Sequence, residues 1–228
     1  MRDFYTKFTT KYKYTMRPKQ KSEILLYVCL STFSLICFIF FTALVRADTL
    51  RSLDFDLTVH LQNHTPLRLD DYFSLLSIGG RFEFTFALLL VLLLVNRKVI
   101  GAIVVVAAFG IAHVIEVIGK SLLEQPGPPD MFLRTHFTNF PGLHVHTQAS
   151  YPSGHSLRIV FIFILVVYLV LISKKLPNLA KIGAIFLSLG IMVAMLVSRV
   201  SLGEHWTTDV IGGVFLGASA AFASAVFL

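Results

Sequence analysis

A short segment near the carboxyl end of the chain has the residue types and spacing that phosphoryl transfer needs. His205 and Asp209 are four residues apart, so on a helix they share a face and the carboxylate can orient one ring nitrogen. The other nitrogen is then available to attack phosphorus, as in other activated nucleophiles. Arg199 offers a planar fork that suits two phosphate oxygens. This segment predicts a phosphate site that works through a covalent phosphohistidine.

The tetrapeptide Pro-Ser-Gly-His at 152–155 predicts a helix start that binds an anion. Ser153 suits the capping position, and Gly154 lets a ligand approach the backbone closely. The free N–H groups of a helix amino terminus attract phosphate. His155, in the first turn, is placed to protonate the leaving oxygen as a general acid.

Membrane helices must position these residues. The 228 residues are 55% hydrophobic and 14% charged, with 21 phenylalanines, which is too apolar for a soluble domain. Apolar runs predict six spans, at 24–45, 79–95, 99–119, 157–172, 180–197 and 210–227. We therefore expect an all-α fold, a six-transmembrane-helix bundle over 24–228 that follows a basic cytoplasmic tail at 1–23.

Basic residues set the expected orientation. They concentrate in the tail and in the turns after the second and fourth spans, which predicts that both termini are cytoplasmic. The histidines, Lys120 and Arg199 then fall at span ends on the opposite side, so the active site is expected at the extracytoplasmic interface of an integral membrane protein. The net charge of +7 mainly reflects this topology and indicates membrane lipids, not nucleic acid, as partners. Residues 46–78 are expected to form an amphipathic segment on the outer interface, or an ordinary loop.

Three motifs together resemble the signature of the type 2 phosphatidic-acid phosphatase superfamily. They are Lys120 with a downstream proline, Pro-Ser-Gly-His at 152–155, and Ser-Arg-x5-His-x3-Asp at 198–209. They occur in the family's order, and the resemblance covers residues from about 70 to 227. It implies a membrane phosphohydrolase that needs no cofactor or metal and acts on a lipid phosphate.

The resemblance also implies a role for each motif residue. It makes His205 the nucleophile, His155 the acid and Asp209 the orienting partner. It assigns phosphate binding to Lys120, Ser153, Gly154 and Arg199.

One position departs from the family pattern. The first motif of the family runs Lys, six residues, Arg, Pro, whereas this chain has Gly127 before Pro128. Losing one transition-state donor costs about 3 kcal/mol. Arg158, one turn after His155, is the first candidate to replace the missing cation, because helical side chains lean toward the amino terminus. Arg134 is the second candidate, and snorkelling to the interface is the other interpretation of Arg158.

Two further groups of polar residues have ordinary interpretations. Glu116 precedes Lys120 by four residues, the favourable order for an ion pair that would hold the lysine, although an acid within a span can also relay protons. His136, His144 and His146 are expected in a loop at the substrate mouth, in preference to a metal site.

The motifs thus predict hydrolysis of a lipid or polyprenyl phosphate or diphosphate through a phosphohistidine intermediate. The sequence leaves open the lipid and the oligomeric state. A non-enzymatic alternative is a lipid-binding or transport protein whose catalysis Gly127 has weakened. Vanadate-dependent oxidation is a third possibility, against which six spans and the lack of a soluble helical domain argue.

Overall fold

The computed structural model describes residues 18–96, 99–134 and 149–228, and the predicted basic tail lies mostly outside these ranges. The described residues form helices and short 3-10 turns, at Leu67–Leu69 and Asp130–Phe132, with no strand, which confirms the all-α prediction. The helices are α1 (Pro18–Arg46), α2 (Arg51–His64), α3 (Asp70–Gly79), α4 (Phe82–Asn96), α5 (Val99–Leu123), α6 (Gly154–Ile172), α7 (Asn178–Ser201) and α8 (Thr207–Ala225).

Five of the helices in the described part of the chain, α1, α5, α6, α7 and α8, are long and apolar enough to cross a membrane, as expected of an integral membrane protein. The remaining predicted span, the second along the chain at 79–95, differs from the structure. Its helix α4 has only 15 residues, fewer than the about 20 that a straight span needs. It follows α3 after a short break and a bend of 58°, the geometry of a broken span or a re-entrant loop, and the described residues have six candidate spans if the pair is one span. Gly79 and Gly80 lie at this break, where helix propensity is lowest.

Helices α6 and α8 pack closely enough for their backbones to touch. A side chain at Gly213 would overlap the Ser153 carbonyl, and one at Gly217 would overlap the Leu157 carbonyl. Small residues commonly allow such approach between membrane helices. This contact places the start of α6, which carries the Pro-Ser-Gly-His motif, against the first turns of α8, which follow the motif that contains His205.

Helix α2 occupies part of the segment expected to be amphipathic, but its buried stripe is polar. Asp54, Thr58 and Gln62 are buried, whereas Leu53 and Phe55 are exposed. Two residues of this stripe, Asp54 and Gln62, bind groups at the ends of other helices, and the Gln62 amide donates to the carbonyls of Phe132 and Ser201 at 2.7 and 3.0 Å. The two carboxylate oxygens of Asp54 accept the N–H of Thr208 at 2.9 Å and its hydroxyl at 2.6 Å, which caps the start of α8.

Replacing Asp54 by alanine should lower the free energy of unfolding by about 1–3 kcal/mol, because two buried donors of Thr208 lose their acceptor. Burial raises the pKa of the Asp54 carboxyl, and the hydrogen bonds from Thr208 oppose that shift. For a carboxyl whose pKa is raised by folding, the stabilisation is present at low pH and is lost as pH rises through the raised value. Asp54→Asn should therefore cost less than Asp54→Ala and should flatten the dependence of stability on pH.

Thermal unfolding of detergent-purified protein across the acid-to-neutral range measures both effects. Asp56, exposed on the same helix, supplies the matched control. Equal losses for alanine at 54 and at 56 would contradict the capping role.

Candidate functional site

His205 lies just before α8, with Nδ1 at 3.4 Å from Oδ2 of Asp209. Asp209 is fully buried and also accepts the backbone N–H of Trp206 at 2.8 Å. Since an ionised carboxylate can only accept, Nδ1 carries the ring proton and Nε2 keeps its lone pair. The two side chains therefore meet at the four-residue spacing that the sequence suggested, although His205 precedes the helix that carries Asp209.

The start of α6 is joined directly to this pair. The N–H of Ser153 donates to the Asp209 carbonyl at 2.9 Å, and the Ser153 hydroxyl faces the Ser156 N–H at 3.5 Å in the capping position. His155, in the first turn, lies within electrostatic reach of both Arg199 and His205. The backbone bond from Ser153 to Asp209 and the proximity of His155 to Arg199 and His205 thus bring the second and third motifs together.

His155 is fixed from one side by Arg158. Nη2 of Arg158 lies 3.4 Å from Nδ1 of His155, and because a guanidinium only donates, Nδ1 is the acceptor. The neutral ring therefore carries its proton on Nε2. That nitrogen is buried, and the Ser77 carbonyl approaches the ring without forming a hydrogen bond of ordinary geometry.

Arg199 is fully buried, and its donors are shared among three side chains. It donates to the Ser198 hydroxyl at 3.2 and 3.0 Å and to the Ser77 hydroxyl at 2.8 Å. Its Nη1 also forms an ion pair with the carboxylate of Glu204, which is partly exposed. The guanidinium is therefore held by two serine hydroxyls and by the Glu204 carboxylate.

Lys120 is held by Glu116, as the order of the two residues predicts. The ammonium lies 2.9 Å from Oε1, while Oε2 lies 2.8 Å from Nδ1 of His113. The carboxylate also occupies the space beside Gly154, where any side chain would overlap it. The close approach expected at this glycine is therefore made, in this structure, by Glu116.

The two candidate replacements for the missing arginine occupy different places. Arg158 is buried, with Nε 2.9 Å from the carbonyl of Gly80 and Nη1 3.8 Å from Oε2 of Glu116, so it does not snorkel to the interface. Arg134 instead turns toward α2, where it donates to the Gln62 carbonyl at 3.2 Å. Because Arg158 contacts His155 and Arg134 does not point toward it, Arg158 is the better candidate for the missing cation.

Gly127 borders a cavity of about 240 Å³ between the α1–α2 turn and Trp206. A methyl group built at Gly127 would meet only the Cβ of Ser150, at 3.7 Å. The backbone therefore has room for a larger side chain at the position where the family pattern has arginine.

Sequence reasoning missed several residues that hold the site. Ser77 and Gly80, at the break between α3 and α4, provide acceptors for Arg199 and Arg158. Glu204 pairs with Arg199. The pair Gly79-Gly80 followed by Arg81, within an apolar run, is the signal that marks an interrupted span.

Within the ranges described, no three side chains of His, Cys, Asp or Glu lie close enough together to hold a metal ion. The candidate loop histidines, His136, His144 and His146, fall outside those ranges. The expectation that they form no metal site stays a prediction.

Comparisons with known proteins agree on one family. The model of the PAP2 superfamily matches residues 98–228, a stretch that contains all three motifs. A phosphatidylglycerophosphatase B of Bacillus subtilis is 30% identical over 123 residues, which are 53% of this chain and 55% of that protein. The match thus spans about half the length of this relative.

Two solved structures share the fold. One is a transmembrane PAP2-type phosphatidylglycerolphosphate phosphatase from Bacillus subtilis, with a TM-score of 0.67, 23% identity, and coverage of 86% of this chain and 94% of that one. The other is LpxE of Aquifex aeolicus, with a TM-score of 0.56, 20% identity, and coverage of 75% and 94%. Because the family model covers more than half of the sequence and includes every motif, the chain belongs to the PAP2 superfamily.

Proposed function

We propose that the protein is a membrane phosphatase that hydrolyses a lipid phosphate through a phosphohistidine on His205. The observation that carries this proposal is that the buried Asp209 orients His205, while His155 lies within electrostatic reach of His205, Arg158 and Arg199. Membership of the PAP2 superfamily and the phosphatase activity named for the Bacillus relatives support it. No feature of the described residues favours the lipid-binding or transport alternative.

In the first step, the lone pair on Nε2 of His205 attacks phosphorus and forms the P–N bond. The bond from phosphorus to the lipid oxygen breaks, and His155, which must first be protonated, donates a proton to the leaving alkoxide and becomes neutral. Asp209 stabilises the positive charge that develops on the ring of His205.

In the second step, His155 takes a proton from a water molecule, and the oxygen of that water attacks phosphorus. The P–N bond breaks, His205 recovers its lone pair, and inorganic phosphate leaves. Lys120, Arg199 and the amino terminus of α6, with Ser153 and Gly154, stabilise the phosphate oxygens in both steps. Arg158 supplies the charge that Gly127 does not.

The proposed substrate keeps its hydrocarbon tail in the bilayer while its phosphate enters the site. The names of the Bacillus relatives favour a glycerophospholipid with a terminal phosphate, such as phosphatidylglycerophosphate. Phosphatidic acid and polyprenyl diphosphate have the same essential chemistry. We place the termini in the cytoplasm and the site on the extracytoplasmic side of the cell membrane, on the basis of the distribution of lysine and arginine.

His205→Ala should abolish turnover of lipid phosphates and leave the fold intact, because the variant has no nucleophile. Brief incubation with labelled substrate should trap acid-labile, alkali-stable phosphate on the wild-type protein and none on the variant. Asp209→Asn should retain some labelling at a reduced rate, since the variant keeps the nucleophile but loses the carboxylate that orients the ring and stabilises its positive charge. Full turnover by well-folded His205→Ala would exclude this mechanism.

The dependence of kcat/KM on pH should be bell-shaped, because one step needs neutral His205 and protonated His155. Steady-state rates of detergent-purified protein, measured with and without a chelator, test this prediction. We expect the chelator to have no effect. A strict need for added divalent metal would instead implicate the histidines of the 136–146 segment and refute the assignment.

Arg158→Ala should lower kcat/KM by about two orders of magnitude, the loss expected when one charged transition-state contact is removed. Gly127→Arg in that background should recover part of the loss, because the cavity beside Gly127 has room for the side chain. Arg68→Ala, at an exposed arginine of the Leu67–Leu69 turn, is the matched control for loss of a cation. Near-normal kcat/KM for folded Arg158→Ala would show that Arg158 does not bind phosphate.

A further inference from the structure

Glu116 is a buried carboxylate that the proposed reaction does not use. It lies within α5 with 6% of its surface exposed, and its carboxylate faces the amino end of α6 at Gly154. A buried anion beside a phosphate site repels the substrate, so its presence needs a physical reason.

The carboxylate joins cations from two different helices. Oε1 lies 2.9 Å from Nζ of Lys120, which is on α5, and Oε2 lies 3.8 Å from Nη1 of Arg158, which is on α6. Both cations are largely shielded from solvent, with side-chain exposures of 18% and 10%. Glu116 is therefore the counter-ion of two cations. One is Lys120 of the first motif, and the other is Arg158, the proposed replacement for the arginine that the family has at position 127.

Two neighbours fix the carboxylate in this position. Nδ1 of His113 lies 2.8 Å from Oε2, and the ring of His113 packs between Phe82 and Phe109, with centroids 4.9 and 5.0 Å away. A side chain at Gly154 would overlap the carboxylate, so this glycine lets Glu116 lie against the turn that starts α6. The acid is thus fixed by the His113 ring and packed against the backbone at the start of α6.

We propose that Glu116 is a positioning residue that holds Lys120 and Arg158 together at the amino end of α6, so that Arg158 serves as the second phosphate cation of a site that has Gly127 in its first motif. This inference rests on the proposed function for the identity of the substrate. The arrangement reduces the entropy that two long side chains would lose on binding phosphate, because their rotamers are already set. A bound phosphate would meet two oriented cations, Lys120 and Arg158, and their attraction outweighs the repulsion from the Glu116 carboxylate.

The effect of Glu116 should depend on Arg158. Glu116→Gln keeps the shape and removes the charge, and we expect it to lower kcat/KM by about tenfold, within the range of coupling between contacting residues. In an Arg158→Ala background the same substitution should change kcat/KM by less than about threefold, since one partner of the acid is already absent. Glu116→Asp should recover part of the loss, because it restores the charge at a shorter reach.

Affinity for inorganic phosphate, measured by calorimetry on detergent-purified protein, gives a second readout that needs no turnover. The Glu116→Gln variant should bind phosphate about tenfold more weakly, and again much less so without Arg158. His113→Gln, which disturbs the anchor and keeps both the acid and the cations, repeats the test if Glu116→Gln does not fold. Glu23→Gln, exposed in α1, is the matched control for loss of a carboxylate.

Independent, additive losses from Glu116→Gln and Arg158→Ala, in either readout, would overturn the proposal. So would a Glu116→Gln variant that melts at a lower temperature with unchanged kcat/KM and phosphate affinity, since the role would then be structural only. If the wild-type protein hydrolyses no lipid phosphate, the proposed function fails. The phosphate-binding cycle still decides, in that case, whether Glu116 positions the cations.

Discussion

The interaction on which the rest of the structure depends is the pairing of buried cations with acceptors at helix ends. Arg199 is fully buried and Arg158 nearly so, and a guanidinium without acceptors inside an apolar bundle would cost several kcal/mol. Ser77 and Gly80 provide acceptors from the break between α3 and α4. The break therefore has to lie against α6 and α7, and a straight second span would remove the acceptors from both arginines.

Contacts between residues close in the sequence could be predicted. Glu116 meets Lys120 at the four-residue spacing that places side chains on one face of a helix. Asp209 meets His205 at the same spacing, although His205 precedes the helix and only Asp209 lies in it. Long apolar runs likewise predicted the five straight candidate spans within a few residues. The bend at 79–81 was not predicted, because a 17-residue window of high hydropathy does not show where backbone hydrogen bonding is interrupted.

Contacts between distant residues could not be predicted from one sequence. Asp54 caps Thr208 across 154 residues, and Ser77 meets Arg199 across 122. Neither serine nor aspartate has a local signature for such a partner, since both are ordinary residues of helix termini and polar faces. The burial of the polar stripe of α2 could not be predicted for the same reason, because the partners of Asp54 and Gln62 lie far away in the sequence. Amphipathicity shows that a helix has two faces, but the unsatisfied groups of other helices decide which face is buried.

The charges around the site explain how so many cations are tolerated in an apolar bundle. Lys120, Arg158 and Arg199 are accompanied by two carboxylates, those of Glu116 and Glu204, so most of the positive charge is compensated before any ligand binds. The two acids are not equivalent. Glu116 is enclosed, with a side-chain exposure of 8%, whereas Glu204, which pairs with Arg199, is 21% exposed. In the proposed reaction, a phosphate that reaches Arg199 competes with Glu204 for the same donors, while Glu116 continues to compensate Lys120 and Arg158. The proposed chemistry thus exchanges one anion for another at Arg199 and leaves the buried ion pairs of the bundle unbroken.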